Sequence, residues 1–406
     1  MRINSKKSEF VGCSERERKR RYSRIRRKME ERGLDCLIVT GYSGRWNEMN
    51  GNLRYITNYA DNLSTVSYAL FPLAGEPIYI IQMDAKRSNL ELSWIKDIRY
   101  RATSSASKIL VDGIRNLNRS GGHIGLVGAS YWNNEIVRMP YDIYLDIIRE
   151  LPRAKIEDAT DIFTEMRQVK SLEELNLIRK SAKLCDDVFQ ELPRITHAGM
   201  REYEWFAKIH EMIYANGGEH PTFLIGASGR MPANDPRLLR NDPLYSSRRI
   251  SRDDVIISEI GPKTGGYMAQ TLQMLSIGKP IRKIVEITEF AAELFPKIAK
   301  RLRPGSKLVE ITSHAKILAE SERSLGACAQ SFVPALHFVG FGGPDPTTEP
   351  IGEITARPGM VLMIELGPYS RQDIYPWLGN AFEITEGGSR SLTSIPCSER
   401  ALKIVD

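Results

Sequence analysis

Three segments in the C-terminal part of the chain carry isolated polar side chains inside apolar runs. They are ISEIGPKTGGYMAQTLQM at 257–274, ALHFVGFGG at 335–343 and PGMVLMIELGPY at 358–369. Between them they present Glu259, Tyr267, Gln270, His337 and Glu365. An imidazole titrates near neutral pH and can move a proton in either direction. Carboxylates hold cationic or N–H-bearing groups by charge-assisted hydrogen bonds, and two that crowd each other push one pKa upward. Burying such groups without use is costly, because an unpaired buried charge is heavily penalised. These residue types therefore point to a polar pocket that binds a small molecule and handles protons.

The elements that must position these residues can be read from periodicity. Residues 14–33 form an amphipathic helix that ends at Gly33. CLIVTG at 36–41 and IGLVG at 124–128 are buried strands, and YALFPLAGEPIYIIQ at 68–82 reads strand, turn, strand. Helical periodicity occupies 106–117 and 140–150. Strands alternating with helices predict an α/β N-terminal domain over 1–163. Beyond it, Ser171 and Glu174 form a capping box that opens a long helix. Helices at 202–216, 283–302 and 308–325 follow, with strands at 254–260, 266–276, 331–338, 360–367 and 381–386. This pattern predicts an α+β domain over 164–406.

Composition narrows the class. The 406 residues suit two domains, and 42% hydrophobic with 26% charged residues is ordinary for a globular protein. No apolar run is long enough to span a membrane, and the N-terminus has no apolar secretory core. Five scattered cysteines form no CxxC pair, which fits a reducing cytoplasm. Much of the net charge of +7 lies between Arg16 and Lys28. Tyr22, Ile25 and Met29 make an inner stripe there, so this run reads as a helix with a basic outer face and not as a nucleic-acid-binding arm. Ser228 lacks the spacing of a nucleophile elbow, and Asp345 with Pro346 reads as a turn.

Several short runs, in order, resemble the creatinase/aminopeptidase P/prolidase family. They are RQVKSLEEL at 167–175, HAGMREYE at 197–204, RPGSKLVEI at 303–311, ARPGM at 356–360 and ITEGGSRSLT at 384–393. The resemblance implies a creatinase-type N-terminal domain, a pita-bread C-terminal domain and a homodimer. It also implies a two-metal centre of two Asp, one His and two Glu. Those positions fall here on Glu259, Gln270, His337, Glu365 and Gly379. A further family histidine falls on Pro344, and a substrate-side histidine falls near Asn234.

A neutral amide and a glycine thus stand where carboxylates should offset two dications. The expectation is therefore no metal and no cofactor. The resemblance includes creatinase, which cleaves a C–N bond without metal. It implies a metal-independent hydrolase acting on a C–N bond of a small polar compound other than creatine. His337, Glu365 and Glu259 are the expected catalytic groups. Gln270, Asn234, Tyr267 and His220 are the expected substrate contacts, and Arg230, Arg237 and Arg240 surround the Asn234 loop. The alternatives are an Xaa-Pro metallopeptidase, which Gln270 and Gly379 oppose, and a non-catalytic binding module.

Overall fold

The computed structural model describes residues 11–42, 51–59, 65–82, 93–101, 105–130, 139–230, 240–241, 246–321, 332–347, 349–368 and 377–405. The chain divides into two compact units, Met1–Met166 and Arg167–Asp406.

The first unit runs α1 (Glu15–Arg32), β1 (Cys36–Tyr42), α2 (Gly51–Thr57), β2 (Val66–Pro72), β3 (Ile78–Ile81), β4 (Asp97–Tyr100), α3 (Ala106–Asn116), β5 (His123–Val127), α4 (Tyr141–Glu150) and β6 (Lys155–Asp158), and enters α5 (Thr160–Gln168). Its six-stranded mixed sheet has the order β4-β3-β2-β1-β5-β6. Ile38, Leu70 and Ile80 of the sheet share a core with Leu110, Ile114, Ile143 and Ile147 of α3 and α4. Helix α1 starts at a Ser14 cap and stops where Gly33 adopts a left-handed φ of 65°. Tyr22, Ile25 and Met29 are buried along it. Its basic run is paired within the fold. Arg20 and Arg21 bind Glu17, and Arg32 binds Glu157 and Asp161. Among the described residues no helix is long and apolar enough to cross a membrane.

The second unit contains α6 (Leu172–Ile195), α7 (Glu202–Ala215), β7 (Glu219–Gly229), β8 (Arg240–Asn241), β9 (Val255–Thr264), β10 (Tyr267–Met268), β11 (Thr271–Ile277), α8 (Arg282–Ala299), α9 (Leu308–Glu320), β12 (Phe332–Val339), β13 (Pro344–Asp345), β14 (Val361–Pro368), β15 (Leu378–Thr385), β16 (Gly388–Ser391), α10 (Cys397–Ala401) and β17 (Lys403–Val405). The main path of its sheet is β13-β12-β14-β15-β11-β9-β7-β8. Two helix pairs cover it. Trp205, Phe206 and Ile209 of α7 pack with Val188 and Leu192 of α6 over Leu224 and Ile256. Ile287, Leu294 and Ile298 of α8 pack with Ile311 and Ala315 of α9 over Phe338, Leu362 and Ile364. This is the pita-bread arrangement. The capping box at Ser171 and Glu174 is formed.

The segment after His337 is held by a buried ion cluster. Asp345, expected in a turn, lies on β13, where it pairs with Phe338 of β12. Its carboxylate binds Arg167 at 2.7 Å and Lys170, and all three side chains are almost fully buried. Arg167 also donates to the carbonyl of Phe341 at 2.8 Å. A β-carbon on Gly340 would overlap Asp345 Oδ2, so the close approach requires glycine there. Turn statistics missed this role because Arg167 and Lys170 are far away in sequence.

Burial pushes the Asp345 carboxyl up, but Lys170 and then Arg167 outweigh it and hold the group below its usual range. A lowered carboxyl pKa stabilises the fold above the unfolded value of about 4, and that stability is lost as pH falls through the folded pKa. We expect Asp345→Asn to lose about 3–5 kcal/mol near neutral pH, because two buried cations lose their anion. Urea unfolding checks this, and the gap from wild type should narrow as the buffer is taken below about pH 4.

Candidate functional site

The sheet register explains how distant residues meet. Glu259 of β9 lies opposite Leu272 of β11, Leu272 lies opposite Gly379 of β15, and Gly379 lies opposite Glu365 of β14. Cross-strand partners share a face, so both glutamates project from the same face. Three strand spacings, about 14 Å on a flat sheet, separate their α-carbons. Long side chains and the residue just before β11 close that gap. Gln270 Nε2 donates to Glu259 Oε1 and, at 3.0 Å, to Glu365 Oε1. His337 lies in the next row, opposite Met363, and its Nε2 is 3.0 Å from the same Glu365 Oε1.

Four expected site residues therefore form one hydrogen-bonded cluster. Gln270 is 1% exposed and Glu259 4%. The side chains of His337 and Glu365 are 20% and 12% exposed, so the open side of the cluster is theirs. Gln270 Oε1 is buried and has no hydrogen-bond partner among the described residues. Next to the cluster, a β-carbon on Gly379 would overlap Met363 Cε and come within 2.8 Å of Leu272 Cδ1. Apolar side chains fill the space that a carboxylate at 379 would need. Among the described residues no group of three or more His, Cys, Asp or Glu has metal-binding geometry.

The other expected contacts lie elsewhere. Tyr267 is fully buried, and its hydroxyl donates to Glu174 Oε1 at 2.8 Å. Its ring packs on Phe341, with centroids 4.5 Å apart. It ties α6 to the sheet, because a buried phenol seeks a partner and Glu174 supplies one. His220 stacks on His210, with centroids 5.4 Å apart, and its Nδ1 meets Tyr214 Oη at 2.7 Å. Asn234 and Arg237 lie outside the described residues, as does the side chain of Arg240. Arg230 Nη2 is 4.0 Å from Asp253.

Ser228 lies within β7 and donates to Glu202 at 2.6 Å while accepting from Arg248. The thiols of Cys36, Cys185 and Cys397 are pushed by burial up to about 12, which leaves no thiolate nucleophile among them. Met363, Leu272 and the fully buried Lys263 were not singled out from the sequence. The available signal was alternation: Met363 is two residues from Glu365, and Lys263 is four from Glu259.

A mainly antiparallel sheet flanked by two helix pairs, with an acid–imidazole cluster on one face, defines a protein of the pita-bread class. The sequence matches the Creatinase/Prolidase N-terminal domain over residues 21–169 and Metallopeptidase family M24 over residues 176–390. The chain belongs to that family. It is 25% identical to an Xaa-Pro dipeptidase of Pyrococcus horikoshii over 375 residues, which is 90% of this chain and 94% of the relative. It is 27% identical to the probable dipeptidase PepE of Mycobacterium tuberculosis over 380 residues, 90% and 91% of the two chains. The crystal structure of a dipeptidase from Pyrococcus horikoshii superposes with a TM-score of 0.76 at 21% identity, covering 95% of this chain and all of the other.

These relatives correct the expected reaction. A non-peptide C–N bond in a small polar compound was anticipated, whereas these two relatives, at 25% and 27% identity, are named as dipeptidases. The creatinase-like expectation rested on the missing carboxylates. Those losses concern metal binding and carry no information on which bond is cleaved.

Gly379→Ala should cost about 1–3 kcal/mol, because the added methyl must displace Met363 and Leu272 in a packed layer. Chemical denaturation measures it. An unchanged midpoint would mean that the layer has room for the methyl.

Proposed function

We propose that the chain hydrolyses short peptides in the manner of an Xaa-Pro dipeptidase, with Glu259, Gln270, His337 and Glu365 as its active site. One observation carries this reading. The alignment to a named Xaa-Pro dipeptidase spans 90% of the chain, and within that span four polar groups meet in one cluster. The reading includes a homodimer. A reducing compartment suits Cys13, Cys36, Cys185 and Cys397, which are all free thiols.

The donor set does not fit a pair of dications. Glu259, His337 and Glu365 could serve as ligands. Gln270 brings no charge and turns its amide nitrogen toward both carboxylates. Gly379 brings no donor, and its space is filled. Two adjacent dications need more anionic oxygens than two glutamates supply.

The chemistry is therefore assigned to the side chains themselves. Hydrolysis needs a base to take a proton from water and an acid to return one to the leaving nitrogen. His337 and Glu365 are in contact and partly exposed, so they can share those tasks. Gln270 fixes the Glu365 carboxylate against Glu259. A second reading, peptide binding without turnover, is favoured by the same amide bridge, which occupies both carboxylates.

The test is proline release from a panel of Xaa-Pro dipeptides, with and without MnCl2 and EDTA. We expect turnover that EDTA leaves unchanged. His337→Ala should lower kcat by at least about 100-fold with the fold intact. Retained kcat in that variant would remove His337 from the mechanism. A strict need for added Mn2+ would show the donor argument to be wrong. Dipeptides that bind and are recovered whole would favour the second reading, and dipeptides that do not bind would end both.

A further inference from the structure

We propose that the groove where α8 meets α9 is a binding site for a small ligand with clustered phosphate groups, an oligophosphate. The inference does not rest on the peptide reading. Helices α8 and α9 pack over Phe338, Leu362 and Ile364. His337 and Glu365 alternate with those residues along the strands, so the groove lies behind the sheet from the polar cluster.

Positive charge is left over at this place. The basic run of α1 is answered within its own unit, where Arg20 and Arg21 bind Glu17 and Arg32 binds Glu157 and Asp161. The run PKIAKRLR at 296–303 is not. Lys297, Lys300, Arg301 and Arg303 line one cavity of about 560 Å³ together with Ser306 and Glu310. Among the described residues none of these four cations forms an ion pair. Helical winding continues past α8, because the amides of Arg301 and Leu302 donate to the carbonyls of Ile298 and Ala299 at 2.9 and 3.1 Å. Lys297 and Arg301 therefore stand one turn apart, where like charges repel. The dipole of α8 favours cations at its C-terminus, which accounts for Lys297 and Lys300. It does not account for Arg303, which lies beyond the helix. Burial and then the Arg301 guanidinium hold the His314 imidazole of α9 below its usual range, which is the mark of a positive field.

The backbone under these cations is fixed. Leu302 and Leu308 are buried at the two ends of the turn. Gly305 donates to the Ala356 carbonyl at 2.9 Å, and the Ala356 amide donates to the Ser306 carbonyl at 2.8 Å. Ser306 gives its hydroxyl to the Arg301 carbonyl at 3.0 Å, so it shapes the turn and has no proton left for a ligand. Arg303 spends its Nε on the Lys300 carbonyl at 2.7 Å, which holds the guanidinium in place while its terminal nitrogens keep their donors.

The charge and geometry select the ligand. A guanidinium grips a phosphate through two parallel N–H bonds, and a lysine adds a point charge. Glu310 lines the groove too, in the first turn of α9, where the helix's own amides favour an acid. Four cations and one carboxylate leave a surplus of three positive charges. A single carboxylate ligand would leave most of that surplus unmatched, whereas a short phosphate chain brings several negative charges close together. A nucleic acid is gripped along a track of many phosphates, and these four cations lie within seven residues around one cavity.

Calorimetric titration of the full chain with sodium tripolyphosphate tests this, with acetate and a short DNA duplex as comparison ligands. We expect one tripolyphosphate per chain, and at least about tenfold weaker binding of acetate and of the duplex. Affinity should fall as NaCl rises from about 50 to about 200 mM. Lys297→Gln/Arg301→Gln, checked for folding by circular dichroism, should weaken tripolyphosphate by at least about tenfold. Lys300→Gln decides the matter if that variant fails to fold. Glu310→Gln should bind about twofold tighter or more, because a repelling charge is gone. Arg194→Gln, an exposed cation outside the groove, should bind like wild type. Absent uptake, full affinity in the folded groove variants, or an equal loss in Arg194→Gln would each overturn the proposal. Tighter binding of the duplex than of tripolyphosphate would overturn it in favour of a nucleic-acid surface.

Discussion

The carboxamide of Gln270, set between the Glu259 and Glu365 carboxylates, is the interaction on which this polar cluster depends. Glu259 and Glu365 come from strands separated by two others, and no backbone hydrogen bond joins those strands directly. Their charges repel, and without a shared donor each would turn toward solvent. One amide nitrogen with two hydrogens can satisfy both. Its hydrogen bonds to charged acceptors are stronger than neutral ones, and stronger still where water is scarce. His337 then gains a fixed partner, because the oxygen it meets is the one that Gln270 holds.

Two sets of carboxylates in this unit are held in different ways. Asp345 is matched by two full positive charges, Arg167 and Lys170, and its pKa is driven down. That cluster is saturated, and it grips the segment that follows His337. Glu259 and Glu365 share a neutral amide. Structural carboxylates tend toward the first condition, and binding carboxylates toward the second. This contrast within one unit argues for a working pocket more strongly than the count of acidic residues does.

Much of this was legible in the sequence, for identifiable reasons. Helix α1 shows itself because Tyr22, Ile25 and Met29 recur at helical spacing. The strands that carry Glu259, His337 and Glu365 show themselves because a polar residue interrupts a run of apolar ones. Contacts between distant segments were not legible. Nothing near Asp345 announces Arg167, so local turn rules misplaced it, and nothing near Ser228 announces Glu202 and Arg248, so motif rules gave that serine no structural role. Tyr267 and His220 carry side chains suited to substrate contact, but suitability does not fix direction. Tyr267 turns to Glu174, and His220 stacks on His210. The bond to be cleaved was misread for a different reason: the loss of two metal-type ligands bears on the cofactor, while the likeness to dipeptidases extends along nearly the whole chain.

Gln270 and Gly379 are best understood as one change. A carboxylate at 379 would project from between Leu272 and Glu365, the two residues that flank it across the sheet. Alongside a neutral amide it would add a third negative charge next to Glu259 and Glu365, which low-dielectric surroundings penalise. Glycine brings no charge, and Met363 and Leu272 occupy the space beside its α-carbon. Restoring a carboxylate at either position alone would therefore meet a site already reorganised around the other. The pair acts as a single electrostatic unit, with less negative charge, an apolar wall and one amide to hold what remains.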